Sequence, residues 1–436
     1  MKKVKTRAVF SLLIALALVF GLGVYVFRFA RDGADWASFT ANRAVYQNGQ
    51  LARGTITDRN GVVLARADGD ARGYAADADT RMSCLHAVGD FAGNIGAGAI
   101  QLFSDELVGY NPVSGVYDPG GEGAVVVLSL DAKLCKAANA ALAGRNGAVA
   151  VCNYETGEIL CMVSSPAYDP ESVPSVLPEG AYLNRVTGAA YTPGSVFKIV
   201  TLAAAIERIP DLKSRSFWCE GETVVDGQIV HCTASHGAQT VEQAFSNSCN
   251  CAFAELSLEL GGDTLAEYAG RLGMTEQLAL CGSVTAAGNF EKGDAGSTAL
   301  AWSGIGQSTD LVCPFAMLRL VSAIAGDGLV QEPTLLRDGK TTETRILDKE
   351  TAELLADDLR YNVVYGYGEW NFPGLALCGK TGTAEVGDGA PHAWFTGFLQ
   401  DQEHPYAFVV VIEHGGSGIG AAAPVANAVL QEAVKS

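Results

Sequence analysis

Lys2, Lys3, Lys5 and Arg7 precede an uncharged, largely apolar run over residues 8–27. About 20 helical residues at roughly 1.5 Å each cross the hydrocarbon core of a bilayer. The sequence therefore predicts one membrane span, and the rest of the chain must fold on a single side. The basic flank before the run outweighs Arg28 and Arg31, which Asp32 and Asp35 dilute. By the positive-inside rule the amino terminus stays cytoplasmic and everything after residue 28 lies outside. A cleaved signal peptide has a shorter apolar region, about 7 to 15 residues, and no small-x-small site follows this one, so an uncleaved anchor is expected. A buried core helix fits poorly, because such helices rarely join an apolar surface all round to a tight basic flank.

The 436 residues, 48% hydrophobic and 18% charged, describe a chain that packs into two or three domains. A formal net charge of -18 repels phosphate backbones, which excludes nucleic acid as a partner. The 11 cysteines show no CxxC pair and no Cys/His spacing suited to zinc. No metal and no cofactor are expected. Cys219 and Cys232 flank a polar, turn-prone stretch, and two readings stand open: a disulfide of an exported domain, or two unrelated thiols.

Three regions follow from the pattern. Residues 1–28 are the cytoplasmic tail and transmembrane anchor. Residues 29–123 hold a juxtamembrane segment, a small pedestal-like domain and a linker. Its first recognisable element is a hairpin over 53–65 turning at Asn60-Gly61, and the Gly-rich cluster 118–123 breaks regular structure. Residues 124–436 form the larger domain. There the periodicity predicts a helix over 132–142, hairpin strands over 148–153 and 158–164, and helices over 195–206, 241–260 and 314–325. Closing strands over 393–399 and 406–413 and a last helix over 424–434 complete it. This order implies an α+β fold, an antiparallel sheet with helices on its faces.

Three short motifs stand in that larger domain. Ser195 begins Ser-Val-Phe-Lys directly after Pro193 and Gly194, at the start of an apolar helix. Residues i and i+3 share a helical face, so the Lys198 amine is expected to reach the Ser195 hydroxyl, while the helix N-terminus favours an oxyanion. Alone this is weak, since a surface lysine one turn after a helix cap gives the same pattern. Ser248 and Asn250, either side of Cys249, can aim a hydroxyl and an amide into one cleft from a tight turn. Lys380, Thr381, Gly382 and Thr383 rise from an apolar stretch, as on a strand whose glycine lets a substrate backbone lie close. Each pattern occurs once, in this order.

Together the motifs resemble the class B penicillin-binding proteins, whose signature joins an SxxK serine to an SxN triplet and a KTG strand. Flanking residues agree: Asn184, Arg185 and Tyr191 to Gly194 before the serine, Gly304 to Gln307 later, and Trp394-Phe395 after the third motif. The hairpin over 53–65 looks like the family's amino-terminal motif, and 147–170 like the opening of its transpeptidase domain. The resemblance implies a penicillin-binding, serine β-lactamase-like fold and a peptidoglycan D,D-transpeptidase acylated at Ser195. Lys198 would serve as base, and Ser248 as proton relay. Asn250 would hold the peptide amide, Lys380 and Thr381 the substrate carboxylate, with Gly382 and Thr383 lining its strand. Backbone N–H groups of Ser195 and Thr383 would form the oxyanion hole. Implied partners are D-Ala-D-Ala stem peptides, β-lactams and a membrane glycosyltransferase. The first domain is short for a class B pedestal, and no cell-wall-binding repeats follow the larger domain.

The same resemblance leaves rivals: a D,D-carboxypeptidase, a β-lactamase or β-lactam sensor, and a non-catalytic scaffold of a cell-wall synthesis complex. His86, His231, His236 and His392 lie at no triad-like or metal-like interval and are expected to do no catalysis. Trp394 is expected to pack on a core strand, and Cys249 and Cys251 to be small buried residues.

Overall fold

A computed structural model of the chain describes residues 2–37, 46–47, 50–51, 53–69, 71–111, 116–117, 123–387 and 389–435. The amino-terminal helix runs Lys2–Ala37, and within it Arg7–Arg31 is apolar and long enough to cross a membrane. Its large side chains from Val9 to Phe27 are exposed. That is the expected surface for a helix whose surroundings are lipid.

Continuous apolar runs build the central sheet. Gly147–Asn153 and Tyr406–Ile412 carry almost no polar side chain and are buried on both faces, so helices must cover the sheet on either side. Five antiparallel strands pair in the order Ile159–Ser165, Gly147–Asn153, Tyr406–Ile412, His392–Leu399 and Leu377–Ala384. Leu377–Ala384, with the Lys-Thr-Gly motif, is an edge strand. One helical layer joins Ala132–Leu142 to Ala423–Ala433; another contains Pro314–Ala325, Lys349–Tyr361 and the serine helix Lys198–Arg208.

The expected hairpin is present as Arg53–Thr57 and Val63–Asp68. Asp58 shapes its turn, accepting from the backbone N–H of Asn60 at 2.9 Å and of Val62 at 2.8 Å. Its other oxygen accepts from the N–H of Ala132 at 3.1 Å, which ties the turn to the first helix of the larger domain. Most of the Gly-rich linker, 118–122, lies outside the described residues. The strand just beyond it, Val125–Val127, pairs in parallel with Arg53–Thr57 and so completes the first sheet. One apolar core runs from Ile56 to Ala433, so the small amino-terminal sheet and the larger domain share it.

Two expected helices take a different form, both at motifs. Gly194–Val196 is a tight 3₁₀ turn preceding Lys198–Arg208. The helix expected over 241–260 is two, Val241–Ser246 and Asn250–Arg271, separated by a turn in which Ser248 has φ 53°. A serine in the left-handed region costs on the order of 1 kcal/mol, which marks a turn held by its surroundings.

Candidate active site

Two glycines bring the first and third motifs together. Gly194 has φ 56°, and a Cβ there would stand 2.7 Å from the Thr383 carbonyl oxygen. A Cβ on Gly382 would stand 2.9 Å from the Pro193 carbonyl oxygen and 3.1 Å from Val196 Cγ1. The serine turn thus lies backbone against backbone on the edge strand. Gly382, expected on a strand beside substrate, lies close to the serine turn as well. Backbone bonds fix that turn, with Gly194 N–H donating to Gly306 O at 2.7 Å. Trp394, fully buried, donates from Nε1 to Thr192 O at 3.0 Å and is the packing residue expected.

Lys198 and Lys380 are both completely buried. Lys198 Nζ donates to the Ser248 carbonyl at 2.6 Å and to Asn250 Oδ1 at 2.8 Å, and lies 3.3 Å from Ser248 Oγ. Burial pushes its pKa down to about 8, with nearby thiols pulling weakly the other way. Lys380 Nζ donates to Ser248 Oγ and to Thr381 O, each at 3.1 Å. Burial drives its pKa well below the ordinary lysine value, and Lys198 pushes it further down. The rings of Phe253 and Phe245 lie 5.3 Å and 5.6 Å from these two nitrogens. The expected direct bond between Ser195 and Lys198 is not made among the described residues. The amine is held instead by Ser248 and Asn250.

Ser248 is the hub, its hydroxyl between both lysine nitrogens. Asn250 is oriented by its own amide, which donates to His231 O at 2.9 Å and so aims Oδ1 at Lys198. Ser195, Ser248, Asn250, Thr381 and Thr383 line one cleft of about 620 Å³. The edge strand Leu377–Ala384 borders that cleft, the place where an extended peptide can be added to a sheet.

Two residues escaped the sequence reading of the site. Tyr367 OH accepts from Thr381 N–H at 3.1 Å and lies 3.2 Å from Thr381 Oγ1. Gln307, quoted only for its resemblance, donates from Nε2 to Thr383 O at 3.3 Å. No local pattern signals Tyr367, which arrives from an irregular helical stretch, Asn362–Gly368.

Of the histidines, His86 is buried against Ala181 O at 2.9 Å, and burial holds its pKa down to about 4. Cys249 and Cys251 are buried as expected, and of the two readings left open for Cys219 and Cys232 the structure favours separate thiols. Cys219 does not pair with Cys232: its Sγ touches Cys251 Sγ at 3.5 Å, while Cys232 Sγ lies 3.9 Å from Cys249 Sγ, all four as free thiols. The sequence spacing indicated no metal-like cluster, yet the fold gathers Cys219, Cys232, His236 and Cys249. Donors from a strand, a loop and a helix start converge only in three dimensions.

Comparison with known proteins agrees with this geometry. The family described as penicillin binding protein transpeptidase domain matches residues 147–431. Peptidoglycan D,D-transpeptidase PbpA of Mycolicibacterium smegmatis is 29% identical over 340 residues, covering 66% of this chain and 67% of that protein. Stage V sporulation protein D of Bacillus subtilis is 32% identical over 264 residues, 56% of this chain and 41% of its own. The D,D-transpeptidase domain of a peptidoglycan glycosyltransferase from Eggerthella lenta superposes with a TM-score of 0.74 at 30% identity, covering 88% of this chain and 98% of that one. Penicillin-binding protein A from Mycobacterium tuberculosis shares the fold at a TM-score of 0.75 and 24% identity, over 88% of this chain and 100% of its own. With the family matched across the whole central sheet and all three motifs, the chain belongs to the penicillin binding protein transpeptidases.

Proposed function

We propose that the chain is a membrane-anchored peptidoglycan D,D-transpeptidase that works through an acyl-enzyme on Ser195. The observation that carries this reading is the valence of Lys198. A neutral amine has two hydrogens and one lone pair. Here two obligate acceptors, the Ser248 carbonyl and Asn250 Oδ1, take two hydrogens, and the third partner, Ser248 Oγ at 3.3 Å, is a hydroxyl that can donate as well as accept. The lone pair is what remains to receive a hydroxyl proton, and burial favours the neutral form.

In the proposed reaction Ser195 Oγ attacks the carbonyl of the penultimate D-alanine and its proton passes to Lys198. The backbone N–H groups of Ser195 and Thr383, held together by the two-glycine contact, receive the oxyanion. The proton continues through Ser248 to the leaving D-alanine amine, the C–N bond breaks, and an ester on Ser195 remains. An acceptor amine from a second stem peptide then attacks that ester, forming the cross-link and returning the proton to Ser195. Lys380, Thr381 and Thr383 take the substrate carboxylate, whose charge restores the protonated state of Lys380 that burial disfavours. Asn250 orients the peptide amide.

The apolar helix Arg7–Arg31 and its basic flank support a single-pass anchor with the amino terminus cytoplasmic and the catalytic domain extracytoplasmic, and the family resemblance adds a membrane glycosyltransferase as neighbour. β-Lactams occupy the donor site; penicillin-binding protein A from M. tuberculosis, alike in fold, is known as a penicillin G acyl-enzyme complex. The test is labelling of the full chain in detergent with a fluorescent penicillin. A label stable for hours and absent from Ser195→Ala supports the reading. Release within minutes marks a hydrolase instead, and an unlabelled wild type marks a scaffold.

A further inference from the structure

The second motif carries sulfur that the acyl transfer does not use. Cys249 lies inside the Ser248-Cys249-Asn250 turn and caps the helix Asn250–Arg271. The strand Phe217–Cys219 brings Cys219 to it, and the segment after the strand Gln228–His231 brings Cys232 and His236. The four ligand atoms of Cys219, Cys232, His236 and Cys249 all lie within 4.8 Å of one another. Cys232 Sγ stands 3.6 Å from His236 Nδ1 and 3.9 Å from Cys249 Sγ.

These separations decide between two chemistries. A sulfur–sulfur bond is about 2.05 Å long. Thiolates about 2.3 Å from a tetrahedral zinc ion stand about 3.8 Å apart along each edge. The observed 3.6 Å and 3.9 Å match such edges and not a sulfur–sulfur bond.

We propose that Cys219, Cys232, His236 and Cys249 form a structural zinc site that fixes the Ser248-Cys249-Asn250 turn. Three thiolates and an imidazole are soft donors that select zinc over magnesium or calcium. Four protein ligands close the tetrahedron and leave no position for substrate, so the ion would have a holding role and take no part in the acyl transfer. Backbone groups already solvate the sulfurs: Asn250 N–H donates to Cys232 Sγ at 3.2 Å and Ala252 N–H to Cys249 Sγ at 3.5 Å. Such outer contacts orient thiolate ligands. Cys251, with Sγ 3.5 Å from Cys219 Sγ, stands outside the set.

The consequence reaches the active site in one step. Cys232 follows His231, whose carbonyl holds the Asn250 amide, and Cys249 precedes Asn250. An ion bridging Cys232 and Cys249 would lock both ends of the contact that aims Asn250 Oδ1 at Lys198. The effect on acylation rests on the transpeptidase reading; the metal content does not.

The experiment is elemental analysis of the full chain purified in detergent without chelator, beside Cys249→Ser, His236→Ala, Cys251→Ser and the distant Cys281→Ser. About one zinc per chain in the wild type, Cys251→Ser and Cys281→Ser, and its loss from the other two, are expected. Cobalt(II) added to stripped wild type should give the intense visible bands of a tetrahedral thiolate site, a readout that does not depend on a variant folding. Chelated wild type should also lose at least tenfold in penicillin acylation rate and regain it with zinc. Metal-free protein whose peptide map shows Cys219–Cys251 and Cys232–Cys249 disulfides would overturn the proposal. So would four freely reactive thiols with no cobalt bands. Zinc kept by His236→Ala but lost from Cys251→Ser would overturn the ligand set.

Discussion

In the proposed reaction the state of Lys198 sets the pH dependence of acylation. Burial penalises the charged form, which for a base lowers the pKa, here from 10.5 to about 8. Only the neutral amine accepts the Ser195 proton, so the second-order rate constant for acylation follows the neutral fraction. With a pKa of about 8 that fraction is about one in eleven at pH 7, half at pH 8 and about ten in eleven at pH 9. The rate should rise about tenfold from pH 7 to pH 9 and then level off. A lysine at its ordinary value would give a rise of about a hundredfold over the same two units and no plateau below pH 10. Stopped-flow acylation by a penicillin with no group titrating in this range measures the difference. The same shift bears on stability. Between about pH 8 and 10.5 the unfolded chain binds the lysine proton and the folded chain does not, so stability rises with pH across that window, by about 3 kcal/mol in total. A flat acylation profile would refute proton transfer to Lys198, and a hundredfold rise would refute its depression by burial.

Two substitutions test the supports of the site. Gly194→Ala places a methyl group 2.7 Å from the Thr383 carbonyl at a left-handed position. It should cost about 1–2 kcal/mol in backbone conformation and separate the two proposed oxyanion donors, with acylation at least about a hundredfold slower; full-rate labelling by the variant would refute the two-glycine contact as the device that sets the oxyanion hole. Asp310 is fully buried, accepts from Glu291 N–H at 2.7 Å through one oxygen, and leaves the other without a partner among the described residues. Burial raises its pKa from 3.8 to about 8, opposed by the Glu291 N–H bond and assisted to a smaller extent by the Glu291 charge. Its folded value lies above its unfolded one, so its contribution is present below pH 4 and is lost as pH rises toward 8. Asp310→Asn removes that titration, and its stability relative to wild type should improve by about 3 to 4 kcal/mol between pH 5 and pH 8, read by thermal melts at each pH. A constant difference would show that the carboxyl is not held protonated.

Much of the fold was readable because it is made of local signals. The helix expected over 132–142 is Ala132–Leu142, capped by Asp131, whose side chain accepts from the N–H groups of Lys133 and Leu134. Pro314–Ala325 begins with proline at its first position, where the missing N–H has no intrahelical partner to lose. The strands Gly147–Asn153 and Tyr406–Ile412 announce themselves as unbroken apolar runs bounded by polar residues. The strand Val125–Val127 was not readable, because its partner is Arg53–Thr57, far back in the chain and parallel to it. Tyr367 was missed for a related reason: its contact is with the backbone of Thr381, which no periodicity of its own segment encodes.

The Ser248 turn combines both kinds of information within three residues. Its side chains are recognisable as a triplet, and that was enough to expect a hydroxyl and an amide in one cleft. The periodic apolar pattern around it suggested a continuous helix, yet a helix would carry Ser248 and Asn250 a little over half a turn apart, onto different faces. The positive φ of Ser248 breaks that geometry, and backbone bonds from Ser248 N–H to Phe245 O at 3.1 Å and from Cys249 N–H to Ala244 O at 2.8 Å hold the break. The result is alternation: Ser248 and Asn250 face the two lysines, while Cys249 between them faces Cys232. In the proposed reaction a residue on the sulfur side thus positions its neighbours on the side of the two lysines, and a change at Cys249 should be felt at Lys198 without touching it. The sequence displays the triplet but not this division of labour, because the faces are defined by His231, Cys232 and Lys380, which reach the turn only through the fold.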